Sequence, residues 1–342
     1  MDNVFTGECL LCGSRSVLIE RGIDGYLEQQ KFDIWHCNTC SSSFSIPRID
    51  DPVEIYNLIY KNIRGIPNYY RYLHYANTVL NELNPLDYLC SHEQSFYGIR
   101  EALNKIIKAR PGIKILEIGC GLGYLTFSLN KAGFEATGID ISEDAVRQAN
   151  EKFGNNYFCR SVEELAADGG GNYDVVIMTE LIEHLNDINS FIGNAAKLIK
   201  KDGCLIITTP DNGAFIKKHA WYTDLPPVHS WWLSKKSLTV IGEKLGMKVR
   251  FVHFRKFYRN KPVIINMNDL RPEKPTFNSL GELVAVENPV SSINGGGRKV
   301  SIVRNFTGDG FYFFLKRTYY RLRPGYLVFG KNGFSICAVL YN

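Results

Sequence analysis

Residues 114–127, KILEIGCGLGYLTF, constrain the fold more than any other stretch: an apolar strand runs into three alternate glycines, Gly119, Gly121 and Gly123, and then into a helical pattern. Such a turn brings bare backbone against a ligand at the end of a strand. A dinucleotide site spaces its glycines G-x-G-x-x-G, so that the helix packs on the strand and a pyrophosphate rests on the helix N-terminus. Here the last of those positions holds Tyr124. The phosphate-cradling pattern G-x-x-x-x-G-K-[ST] is absent. The spacing therefore predicts a ligand other than a diphosphate.

Around this loop the chain alternates strand and helix in the way that produces a parallel sheet with helices on both faces. Expected strands are KILEIG, EATGID, NYFCRS, YDVVIMTE and CLIITTP, and helical patterns cover 123–131, 142–153, 187–200 and 234–245. KVRFVHF and the terminal FSICAVLYN complete seven strands. The expected divisions are a cysteine module at 1–48, a tyrosine-rich helical lead-in or lid at 49–110, the sheet domain at 111–254, an insertion at 255–333 that could contact substrate, and the last strand at 334–342. Within the lead-in, VEIYNLIYKNI, YYRYLHYANTVLNEL and SFYGIREALNKIIKA read as helices.

Strands, glycines and acids in this order resemble the class I S-adenosylmethionine-dependent methyltransferases over residues 95–254 and the last strand, a Rossmann-like α/β fold. The resemblance implies that EIGCGLG, with Glu117, Gly119, Cys120, Gly121 and Gly123, lies under the methionine end of the cofactor. Asp140 in GIDIS then accepts from both ribose hydroxyls, which an ionised carboxylate does well because it has two acceptor oxygens. Ile141 covers the adenine, Ser161 and Val162 stand at its edge, and Thr179 and Glu180 face the methionine moiety. The family more often has Asp where Ser161 stands. Without the resemblance, the glycines permit tight turns and Asp140 caps the next helix. A nicotinamide enzyme is the rival assignment, and it is opposed by Tyr124 and the seventh strand.

The chain has nine cysteines, and Cys9, Cys12, Cys37 and Cys40 form C-x2-C-x24-C-x2-C. Two such pairs can close four thiolates tetrahedrally around a structural zinc, giving a ribbon-like module. The alternative is a small core of reduced thiols, but so short a block has difficulty folding without a staple. Methyltransferases acting on sugars and other small metabolites are similar in carrying such a module ahead of a tyrosine-rich segment, and sugar C-methyltransferases are similar in outline.

Methyl transfer from a sulfonium is an in-line displacement, so the protein must align the acceptor and, for a hydroxyl, take its proton. TELIEHL places Glu180, Glu183 and His184 at the end of the fourth strand, and if the turn is helical the three share one face. The bland reading is a histidine that shapes the pocket, oriented by Glu183. Ubiquinone-pathway O-methyltransferases and small-RNA 2′-O-methyltransferases resemble this chain in E-x-x-E-H followed by a later histidine. That resemblance implies a divalent ion, Mg²⁺ or Mn²⁺, on Glu180, Glu183, His184 and His229, with His219 as a spare. Alternatively His184 or His229 acts alone as general base.

From Gly246 onward 16 Lys and Arg stand against 5 Asp and Glu, a net of +11, which leaves −6 for the rest of a chain whose total is +5. KVRFVHFRKFYRNK and FYFFLKRTYYRLRPG interleave cations with aromatics, a pattern that suits a phosphorylated glycan or an anionic membrane surface touched peripherally, or else a solvated basic face. No RNA-binding module accompanies it, so nucleic acid is disfavoured. The start lacks a secretory signal and no run of about 18 apolar residues occurs, so a cytoplasmic protein is expected. The expected function is O-methylation of a saccharide or other small metabolite in polysaccharide or natural-product synthesis. An RNA 2′-O-methyltransferase, a sugar C-methyltransferase and a non-catalytic cofactor-binding scaffold are the alternatives.

Overall fold

Apolar strands alternating with amphipathic helices give a seven-stranded sheet in the computed structural model, which describes residues 6–49, 53–62, 69–212, 225–259, 263–266, 277–284, 315–316, 318–324, 326–329 and 334–342. Four antiparallel strands come first: β1 (Thr6–Glu8), β2 (Arg15–Asp24), β3 (Lys31–Cys37) and β4 (Ser42–Ile46). Helices α1 (Val53–Lys61), α2 (Tyr70–Thr78), α3 (Pro85–His92) and α4 (Gln94–Glu101) follow. The third expected lead-in helix ends early, in a π-type turn over Ala102–Ile107 closed by Lys108 with φ +54°. Helix α3 has Pro85 in its first turn, where the missing N–H costs nothing.

The main domain runs β5 (Lys114–Ile118), α5 (Tyr124–Lys131), β6 (Glu135–Asp140), α6 (Glu143–Phe153), β7 (Tyr157–Cys159), α7 (Val162–Ala167), β8 (Tyr173–Thr179), α8 (Ile188–Leu198) and β9 (Ile199–Pro210). It continues through β10 (Trp231–Trp232), α9 (Lys235–Lys244), β11 (Lys248–Phe251), β12 (Val263–Asn266), β13 (Tyr326–Phe329) and β14 (Ser335–Tyr341). The sheet order is β11-β14-β9-β8-β5-β6-β7, parallel from β9 to β7, with β14 inserted antiparallel between β9 and β11. All seven expected strands are present. Of the 255–333 insertion, the described part includes β12 paired antiparallel with β13, and most of the rest lies outside the described residues.

Successive strand residues serve opposite faces. Leu116, Val176, Leu205 and Ala338 pack on one side with residues of α8 and α9, while Ile115, Val175, Ile206 and Cys337 pack on the other with α3, α4 and α5. Burial on both faces explains why the strands read as continuous apolar runs. Ser142, Ser161, Asp187 and Ser234 cap α6, α7, α8 and α9 by accepting from the backbone N–H three residues on, each worth about 1 kcal/mol.

Connections leave β5 in one direction to β6 and the order resumes on its other side with β8, so a crevice opens beyond the carboxyl ends of β5 and β8. The cysteine module does not stand alone. Its sheet, β1-β2-β3-β4, takes β10 of the main domain as a fifth strand, and Leu11 and Phe44 pack into the same core as Ile188, Ile192 and Trp231. The module is therefore held by burial shared with the main domain.

Candidate functional site

At the end of β5 the chain turns through Gly119 (φ +75°), Gly121 (φ +48°) and Gly123 (φ +78°). A Cβ on Gly123 would sit 2.6 Å from the Tyr157 ring and 2.8 Å from Ala149, so this glycine lets α5 start hard against β7 and α6. The N–H groups of Gly119 and Cys120 both donate to Ile139 O, at 2.8 and 3.0 Å, which fixes the loop on β6.

Glu117 is 4% exposed and accepts from the Thr126 hydroxyl. Burial pushes its carboxyl up to about 8, with the Thr126 hydrogen bond opposing the shift and Asp140 adding to it. Asp140 accepts from Gly121 N through Oδ2 at 2.8 Å and from Ser142 N through Oδ1 at 2.9 Å. Each oxygen retains a second lone pair for a diol, and the carboxylate is held rigidly at the rim. Burial raises its pKa, opposed by these backbone donors. Next to it Ile141 is 67% exposed and Phe158 on the neighbouring strand 49%, an apolar pair of the kind a planar base covers.

Two expected contacts look different. Ser161 is committed to a capping box: its hydroxyl accepts from Glu164 N at 3.2 Å and its own N–H donates to the Glu164 carboxylate at 2.9 Å. Val162 is buried in the core at 1% exposure, leaving only its backbone for a ligand. Thr179 ends β8 with an Oγ1 that is screened from water and has no hydrogen-bond partner among the described residues.

The segment after β8 is not a continuous helix. Glu180 takes φ +48°, which costs a glutamate of order 1 kcal/mol, and its N–H donates to Thr208 O at 3.0 Å. Only Ile182–His184 is helical, as a single 3-10 turn. The helical spacing that would put Glu180 on one face with Glu183 and His184 is therefore absent. Glu183, His184 and His229 do converge, with one ligand atom of each within 4.8 Å of the others; Glu180 is not one of this group. His219 lies outside the described residues.

Glu183 is 1% exposed and accepts from the Thr209 hydroxyl at 2.9 Å. The Nδ1–H of His184 donates to Val228 O at 2.6 Å, which leaves Nε2 as the basic nitrogen, 3.9 Å from Glu183 Oε1. The His184 and His229 rings are 4.5 Å apart and nearly perpendicular, at 85°. Burial drops His229 to about 3, so it is a neutral imidazole. A carboxylate and two imidazoles are a donor set for a divalent ion, and a histidine oriented by a backbone carbonyl is the usual support for such a ligand. Thr209 and Arg48 were not distinguishable in the sequence. The Arg48 guanidinium donates to Ser230 O and Asn186 O, both at 3.0 Å, and lies 4.6 Å over the Trp231 ring, bracing the loops on either side of the cluster.

In the module, Cys9 Sγ lies 3.6 Å from Cys40 Sγ and Cys12 Sγ 3.6 Å from Cys37 Sγ, too long for a disulfide. Four thiolates at a Zn–S length of 2.3 Å stand about 3.8 Å apart along a tetrahedron's edges, so the four cysteines fit zinc. Ser42 Oγ, 3.0 Å from Cys40 Sγ, is an outer partner. Both knuckles are tied to the main domain: Asn189 donates to Leu10 O and Leu11 O, and Ser237 Oγ donates to Cys40 O at 3.0 Å.

No helix among the described residues is long and apolar enough to cross a membrane. Residues 91–251 match a family described as a methyltransferase domain. A ubiquinone biosynthesis O-methyltransferase of Caulobacter vibrioides is 37% identical over 103 residues, 29% of this chain and 41% of that protein. The one from Bordetella avium is 32% identical over 114 residues, 32% of this chain and 47% of that protein. The chain thus spans less than half the length of these relatives. A solved structure of a SAM-dependent methyltransferase from Archaeoglobus fulgidus is 19% identical and covers 71% of this chain and 93% of its own, with a TM-score of 0.42.

Proposed function

Because this chain carries a class I, S-adenosylmethionine-dependent methyltransferase domain, we propose that it transfers a methyl group to a hydroxyl of a small acceptor, a saccharide or comparable metabolite. The observation that carries this reading is the convergence of Glu183, His184 and His229 at the carboxyl edge of the sheet, one turn beyond Thr179. Bound over the glycine loop, the cofactor supplies an electrophilic methyl whose transfer leaves S-adenosylhomocysteine and frees the acceptor's proton.

The chain's own residues then have two tasks. Asp140 and Glu117 hold the cofactor's ribose and amino-acid end, fixing the direction of attack. His184 Nε2 takes the acceptor proton, because Val228 O keeps the other ring nitrogen protonated and Glu183 steadies the imidazolium that forms. His229, whose pKa burial lowers to about 3, stands with its ring 4.5 Å from that of His184.

A second reading is favoured by the same cluster, since a buried carboxylate beside two imidazoles suits a bound cation. Glu183, His184 and His229 would hold Mg²⁺ or Mn²⁺, which would lower the acceptor's pKa and bind a vicinal diol. The Cys9, Cys12, Cys37 and Cys40 set holds structural zinc. The small-molecule O-methyltransferases among the relatives support an oxygen acceptor, while a glycan acceptor in polysaccharide or natural-product synthesis rests on the module and the basic tail. Residues 255–333 are proposed as the acceptor-side region, and the protein as cytoplasmic with at most peripheral contact to anionic surfaces.

Incubation with labelled cofactor and a panel of nucleotide sugars, lipid-linked saccharides, catechols and RNA tests this. An oxygen-linked methyl on a small acceptor is expected. Salt-sensitive methylation of RNA replaces that acceptor with a ribose 2′-hydroxyl, a carbon-linked methyl indicates sugar C-methylation, and binding without turnover of any acceptor leaves a scaffold.

A further inference from the structure

The carbonyl that holds the Nδ1–H of His184 belongs to Val228, in the stretch LPPVHS at 225–230. Pro226 and Pro227 carry no N–H, so this loop is secured by its carbonyls and its side chains. At its far end Ser230 N donates to Glu183 O at 2.9 Å, and His229 N closes the turn on Leu225 O at 3.0 Å. The groups that fix its near end come from distant parts of the chain.

Tyr26, at the tip of the β2–β3 hairpin of the cysteine module, donates its N–H to Pro226 O at 2.9 Å. Its own carbonyl accepts from Phe277 N at 2.9 Å, and Phe277 O accepts from Glu28 N at 2.8 Å. A residue of the 255–333 insertion thus bridges onto the hairpin tip, parallel to Leu27. Gly25 permits the close approach of hairpin and loop: a Cβ there would stand 2.5 Å from the Phe32 ring and 2.9 Å from Pro226 O.

The side chains follow the backbone. Phe277 and Val228, neither with exposed surface, share one apolar cluster with Tyr26, Leu225 and, from α1, Ile55 and Ile59. Tyr56 on α1 packs against this cluster and stands edge-on to His184, with ring centroids 6.2 Å apart at 73°. Val228 is therefore held by the hairpin tip, the insertion and α1 together. Its carbonyl keeps the proton on Nδ1 and leaves Nε2 open, and both uses of His184, as base or as ligand, need that tautomer.

We propose that Phe277 is a positioning residue: by pinning the β2–β3 hairpin tip onto Leu225–Val228, it fixes His184 as the Nδ1–H tautomer with Nε2 presented to the acceptor. The proposal rests on the assignment of His184 to the transfer step. It gives the insertion and the cysteine module a part in the chemistry that requires no contact with substrate.

Nitrogen-15 histidine spectra of the whole chain without acceptor, at one mildly alkaline pH, read the tautomer directly. The parent is expected to show His184 with Nδ1 protonated and Nε2 unprotonated. In Phe277→Ala the two nitrogen shifts of His184 should move toward each other as the Nε2–H form enters, while those of His92 on α3 stay in place and S-adenosylhomocysteine affinity stays within about twofold of the parent. On whichever acceptor the panel above yields, kcat should fall roughly 10- to 100-fold in the same variant, as a displaced base requires. Where Phe277→Ala fails to fold, Gly25→Ala acts on the other side of the same contact, and the same mixing is expected. A parent in the Nε2–H form, or a folded variant that keeps the parent's His184 shifts, overturns the positioning role. Mixed tautomers with kcat unchanged uphold the hold of Phe277 on His184 and remove His184 from the transfer step.

Discussion

Trp231 stands opposite Phe44 in the β10–β4 pairing with ring centroids 5.5 Å apart, so the strand that follows His229 is also a strand of the cysteine module. Between them, Ser230 donates its N–H to Glu183 O at 2.9 Å and accepts at its own carbonyl from Ser45 N at 3.1 Å. The thiol cluster, β4, β10 and the Glu183–His184–His229 cluster form one connected body.

One zinc per chain is expected on Cys9, Cys12, Cys37 and Cys40 in protein purified without an affinity tag, measured by elemental analysis. Cys12→Ser should cost more than about 4 kcal/mol of stability, as loss of a structural metal does. Because β10 joins the module to the histidines, any folded fraction of this variant should lose more in kcat than in cofactor affinity. An ordered module with no zinc would reduce the thiols to packing residues.

Asp140→Ala is expected to weaken S-adenosylmethionine by roughly 1.5–3 kcal/mol, the loss of charge-assisted hydrogen bonds to the ribose. The substitution also frees Gly121 N and Ser142 N, which Asp140 now engages, so the glycine loop loses its tie to the rim. Undiminished affinity by calorimetry, or tight NAD binding by the parent, would remove the basis of the cofactor assignment.

Glu117 gives a pH signature. Its folded pKa, about 8, lies above the ordinary glutamate value, so the folded apoprotein holds this proton more tightly than the unfolded chain does. The stability it contributes is fully present below the ordinary carboxylate range and is lost as pH rises through about 8. Denaturant titrations of apoprotein should show Glu117→Gln removing a decline that the parent shows between those limits. An ammonium brought beside Glu117 favours the ionised form, so cofactor binding near neutral pH should release protons, read as buffer-dependent heats. Equal heats in all buffers would place the amino group elsewhere.

Much of this was legible in the sequence because it is locally encoded. The strands of the sheet are apolar runs bounded by glycines and acids, and the caps Ser142 and Ser234 mark helix starts. The four-cysteine spacing predicts a cluster that the fold brings together. Non-local pairing was not legible: nothing in Trp231–Trp232 announces a partner at Ser43 and Phe44, and α7 is too short to show a period. Glu180 escaped the pattern because positions i, i+3 and i+4 share a face only if the backbone is helical, and here it turns left-handed.

The riskiest expectation concerns how the acceptor loses its proton. If His184 is the base, its Nε2 alone is needed, and His184→Ala should lower kcat by roughly 10²–10⁴ with a small change in cofactor affinity. His229→Asn keeps a neutral polar group of similar reach and should cost far less, because His229, pushed down to about 3, is a weak base. Under the metal reading the two histidines are equivalent ligands and their removal costs alike. Glu183→Gln then also abolishes turnover, since a hard cation needs the carboxylate. Brief EDTA treatment, with zinc content followed so that loss from the cysteine module is not mistaken for loss at the site, separates the cases. Activity that survives chelation and falls selectively in His184→Ala establishes the base. Activity that disappears with chelator and returns with Mn²⁺, with equal losses in His184→Ala and His229→Asn, makes the same three side chains a metal site.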